Sequence, residues 1–138
     1  MKIVSENIDF RISTTGVEVK YTDDGESTLR LCAKKIGVEN DVFVLEIDFQ
    51  CVAELVCKTV NFYETNYGGY EIVSNNGRDL SNKSELSGFY RVIDSAKLES
   101  SKRTYDPTNA LNLNHFLVTG GDSYFEIIAA SYSIRRGS

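Results

Sequence analysis

The chain carries one histidine, His115, and Asp122 and Ser123 follow it closely. A serine hydroxyl, an imidazole to take its proton and a carboxylate to orient the imidazole make up the machinery of acyl transfer. The stretch NHFLVTGGDSYFEIIAASY reads instead as a β-hairpin. A two-residue Gly120-Gly121 turn suits the positive φ angles of a primed hairpin. That register sets Thr119 opposite Asp122, Leu117 opposite Tyr124 and His115 opposite Glu126. Four loop residues, GGDS, would shift the partners but keep the faces; three would swap them. In the favoured register Ser123 points away from His115, and no G-x-S-x-G elbow presents a serine. His115 therefore reads as a histidine satisfied by a neighbouring carboxylate such as Glu126.

Other chemistry fares no better. GGDS and YGGY lack the Lys-Ser/Thr of a phosphate loop, and a strand rather than a helix follows each. Glu46 and Asp48 alternate on one strand, the ordinary pattern of a solvated face. Cys51 and Cys57, if they share a strand, stand roughly 20 Å apart, too far for a bridge. With Cys32 they make an odd count, read as reduced thiols of a cytosolic protein. One histidine is too little to complete a zinc site from them. The expectation is no catalytic residue, no metal and no cofactor.

These residues must be held by strands. Ile8, Phe10 and Ile12 recur at every second position, separated by Asp9 and Arg11, as do Val17, Val19 and Tyr21, then Leu29, Leu31 and Ala33 about Arg30 and Cys32, then Phe43, Leu45, Ile47 and Phe49 about Val44, Glu46 and Asp48. Period-two alternation places one apolar face on each half-buried strand. STTG at 13–16, DDGE at 23–26 and GVEN at 37–40 supply turns, so four antiparallel neighbours are predicted. Residues 50–63 fit a strand past a bend or a helix, and their β-branched and aromatic content favours the strand. Tyr70–Val73 and residues 89–94 read as short strands, and 74–88 as a loop. SAKLESSKRT at 95–104 suits a short helix capped by Ser95. On the closing hairpin Phe116, Val118, Phe125, Ile127 and Ala129 form the core face. His115, Leu117, Thr119, Asp122, Tyr124, Glu126 and Tyr132 form a wetter face, the better candidate for a functional surface.

At 138 residues one domain, 1–138, is expected. Its 41% apolar content is that of a globular protein. Twenty acidic against fifteen basic residues leave a net charge of −5, unsuited to nucleic acid. MKIVSENIDF has no apolar core of a signal peptide, and no run approaches a membrane span. A cytoplasmic protein is expected. Gly137 and Ser138 are left out of the functional argument.

The stretches FYETNYGGYEI, SGFYRVIDSAKL and YDPTNALNLNHFLVTGGDSYFEIIAASYSI resemble a group of small β-rich bacterial proteins. In size and acidity these are similar to immunity proteins, which neutralise toxins of bacterial competition. The resemblance implies a stoichiometric inhibitor of a basic toxin domain. The fold expected is mainly antiparallel β, or α+β with one short helix: a curled sheet, barrel-like or sandwich. Partner contacts are expected at Asp23, Asp24, Glu26, Tyr67, Tyr70, Asp122, Tyr124 and Glu126, where acidic groups steer and tyrosines anchor. The competing readings are a small-molecule-binding β-barrel and a small hydrolase using His115.

Overall fold

The computed structural model describes residues 2–6, 8, 10–22, 26–35, 42–59, 71–73, 88–119 and 123–136. In chain order the strands are β1 (Lys2–Ser5), β2 (Phe10–Thr22), β3 (Glu26–Lys35), β4 (Val42–Gln50), β5 (Glu54–Thr59), β6 (Glu71–Val73) and β7 (Phe89–Val92). The helix α1 (Ala96–Tyr105) follows, then β8 (Asn114–Thr119), β9 (Ser123–Ala129) and β10 (Ser131–Arg136). One sheet has the order β5-β9-β8-β7-β1-β6, and β1 with β6 is its parallel pair. The other sheet has the order β10-β4-β3-β2 and is antiparallel throughout.

The two sheets share a pair of bent strands. β4 pairs with β10 in the smaller sheet, and their continuations β5 and β9 pair in the larger one. Between the paired positions Gln50↔Ser131 and Glu54↔Ile128, one side inserts Cys51–Ala53 and the other only Ala129 and Ala130. The extra residue makes a corner, as a bulge does. Cys51 takes the left-handed turn at φ 54°. The corner keeps its backbone bonded, with Ala53 N–H donating to Ile128 O (2.8 Å) and Ala130 N–H to Gln50 O (3.0 Å).

The mainly β expectation holds, with the sheets facing each other and not closed into a barrel. Leu45, Ile47 and Phe49 from the smaller sheet meet Phe89, Phe116, Val118, Phe125 and Ile127 from the larger. Phe49 and Phe116 lie 5.5 Å apart between ring centroids, and Tyr132 reaches Phe89 at 4.7 Å and Phe116 at 5.3 Å. These rings fill the space that a ligand-holding barrel would leave open.

Two local expectations need correction. STTG at 13–16 does not reverse the chain: β2 runs through it and pairs β3 on both sides, Ile12 with Ala33 and Val17 with Leu31. The additional residues are absorbed as a bulge, so the inward set changes from Phe10 and Ile12 to Val17 and Val19. Alternation on each half was sound; the chain direction between them was not. Tyr132, placed on the wet face, packs in the core. The break at Ala130 shifts the inward positions from Phe125, Ile127 and Ala129 to Tyr132 and Ile134. Residues 54–59 are strand, as preferred over helix, and 60–63 lie outside the described residues.

Candidate functional site

The β8–β9 hairpin pairs Thr119 with Tyr124, Leu117 with Glu126 and His115 with Ile128. This is the four-residue alternative, so the faces are as expected while the partners shift by two. His115 and Glu126 thus become diagonal neighbours rather than directly opposed. The face expected to be wet is buried: His115 is 0% exposed, Leu117 0%, Glu126 3% and Tyr124 5%. Leu117 and Tyr124 pack with Ile3, Tyr90 and Val92 in a second apolar cluster.

Over this face runs the segment between β7 and β8. Ser95 caps α1, its side-chain oxygen accepting the Leu98 N–H at 2.9 Å. The same oxygen lies 2.6 Å from Nδ1 of His115. The Ser95 hydroxyl keeps a hydrogen to give and a second lone pair to offer, so it can bond Nδ1 in either tautomer of the ring. The other ring nitrogen, Nε2, stands 3.3 Å from Oε1 of Glu126. The other carboxylate oxygen is 2.9 Å from Lys58 Nζ and 3.6 Å from Lys97 Nζ. Lys97 also reaches Glu54 at 3.2 Å. The Glu126 carboxylate holds the Lys58 ammonium above its ordinary pKa, against partial burial that pulls the other way.

A serine, an imidazole and a carboxylate therefore do converge. The serine is Ser95, not Ser123. Sequence reading marked Ser95 only as a helix cap; its tie to a residue 20 positions on carries no sequence signal. The geometry as it stands serves to anchor. Ser95 is 7% exposed, and its oxygen is engaged by Leu98 and His115 at once.

The expected partner contacts divide as follows. Asp23, Asp24, Tyr67, Tyr70 and Asp122 lie outside the described residues. Glu26 opens β3 opposite Thr22. Tyr124 and Glu126 are buried on the larger sheet's face, Tyr124 in the second apolar cluster and Glu126 against Lys97 of α1. Cys51 and Cys57 are exposed free thiols, and among the described residues no three of His, Cys, Asp and Glu gather as metal ligands. Among those residues no helix is long and apolar enough to cross a membrane.

Sequence reading missed one exposed feature. After α1 the Asp106 carboxylate accepts the N–H groups of Ala110 (2.8 Å) and Leu111 (3.0 Å) and is itself 5% exposed. Asn109 and Asn112 take left-handed conformations in this turn, at φ 57° and 55°. Leu111 projects from it and Tyr105 from the end of α1, 41% and 54% exposed. Beside them lies a surface cleft of about 470 Å³ lined by Glu99, Lys102, Arg103, Asp106, Pro107 and Asn109. Asp-Pro marked the turn in the sequence, but nothing there gave the direction of Tyr105. No protein-family description matches this chain, no curated protein matches it, and no solved structure matches it.

Proposed function

We propose that the chain is a protein-binding module, an immunity-type inhibitor that neutralises a basic toxin domain by occupying it. The observation that carries this reading is a contrast of burial. Ser95, His115 and Glu126 are packed inside, whereas Tyr105 at the end of α1 and Leu111 in the turn fixed by Asp106 stand out. Tyrosines of this kind are the anchors from which interfaces draw their energy. A turn already held by two side-chain bonds loses little freedom when it docks. The net charge of −5 favours a cationic partner and speeds encounter. Asp23, Asp24, Glu26 and Asp122 remain the proposed steering acids, with Tyr67 and Tyr70 as further contacts. The test is Tyr105→Ala in the complex with the product of the adjacent gene. A loss of about 2 kcal/mol in binding, roughly thirtyfold, is expected of an anchor; unchanged affinity removes Tyr105 from the interface.

A second reading rests on the Ser95–His115–Glu126 line itself. A small hydrolase using His115 would take Ser95 as nucleophile. A fluorophosphonate that phosphonylates Ser95 in the folded protein would favour it over the inhibitor, and absence of an adduct would remove it.

A further inference from the structure

We infer that residues 94–112 form a lid on the larger sheet, latched by Ser95 to His115, which opens without unfolding the sheets and brings the imidazole to solvent. The inference concerns the free protein and goes beyond the binding proposal.

The topology makes the segment an addition. β7 and β8 are direct antiparallel neighbours, Phe89 with Val118 and Arg91 with Phe116, which a tight turn could connect. The chain detours through α1 instead. Both ends of the detour are pinned. Ile93 N–H donates to Lys2 O at 3.0 Å, and Lys2 N–H to the Asp94 carboxylate at 2.6 Å. Leu113 at the far end is 1% exposed. Neither apolar cluster includes a residue from Asp94 to Asn112, and the buried residue of α1 is Ser101. Most helices in proteins are held by an apolar face; this one has little to offer.

What ties it down, among the described residues, is polar. Lys97 bridges to Glu54 and Glu126, with Lys97 and Glu54 each about a third exposed, so water and salt weaken the link to Glu54. The enclosed tie is Ser95 to His115 at 2.6 Å. Segments with few buried apolar contacts open locally, at free energies below that of global unfolding.

The chain's one histidine makes the opening measurable. Diethylpyrocarbonate acylates neutral imidazole, and His115 is 0% exposed when the lid is shut. The rate of His115 modification, read by mass spectrometry, is expected to be nearly flat in low urea. Ser95→Ala should raise it about tenfold, the effect of losing one buried hydrogen bond. Ile47→Val, which weakens the core between the sheets, should leave it unchanged. A rate that rises steeply with urea in the unmodified chain, or that follows global stability across the variants, overturns the lid. The urea dependence decides the matter even if Ser95→Ala does not fold.

Discussion

Ser95 Oγ lies 2.6 Å from His115 Nδ1 while accepting the Leu98 N–H at 2.9 Å, so one hydroxyl both starts a helix and fastens it to a sheet. Losing it should cost more than a cap alone. Ser95→Ala is expected to destabilise the protein by about 2 kcal/mol, at the upper end for a lost cap. Hydrogen exchange should show the loss concentrated in residues 95–105. Urea unfolding with exchange mass spectrometry checks both amount and place.

The carboxylate and its lysine should differ in weight. Glu126 is 3% exposed and faces His115, whereas the Lys58 side chain is 46% exposed. Glu126→Ala is expected to cost about 1–3 kcal/mol, because it removes the buried carboxylate that faces His115 and pairs with Lys58 and Lys97. Lys58→Ala should cost under about 1 kcal/mol, since its ammonium already meets water. Equal losses in urea unfolding would contradict this placement.

Gly88 is expected to resist substitution. Its φ is +90°, and a Cβ there would meet Ile12 Cβ at 3.0 Å and Thr119 Oγ1 at 3.1 Å. Its carbonyl accepts the Thr119 N–H at 2.8 Å, so the strand cannot move away freely. Gly88→Ala should lower stability by about 1–3 kcal/mol through strain and overpacking. A variant that unfolds at the original urea midpoint would refute this.

Tyr132 gives a pH dependence with a definite sign. Burial, with the Glu6 carboxylate beside it and Arg91 opposing, pushes its hydroxyl up from 10 to about 12. The unfolded chain releases that proton first. Folding therefore binds more protons between pH 10 and about 12, and stability falls with pH across that window. The stabilisation is complete below pH 10 and lost as pH passes about 12. Tyr132→Phe should remove this part of the alkaline decline, as urea midpoints at pH 9 and pH 11.5 would reveal.

Much of the strand content was legible because alternation is a local signal. Phe116, Val118, Phe125, Ile127 and Ala129 form a core face by period two alone, and that is where they lie. Ser95 was legible as a cap because capping needs only the next three residues. What failed was parity across irregular points. At 13–16, and at the corner where Cys51–Ala53 face Ala129 and Ala130, unequal strand lengths change which side faces inward, and composition does not distinguish a bulge from a turn. The covering of His115 was not legible either, since it depends on where α1 comes to rest rather than on the hairpin's own sequence.

The proposed role is tested most directly by co-expressing the chain with the product of the adjacent gene and titrating the purified pair at rising salt. The account predicts a one-to-one complex that suppresses the partner's toxicity and whose affinity falls as salt screens the −5 charge. Two proteins that elute separately at low salt, with toxicity undiminished, would contradict it.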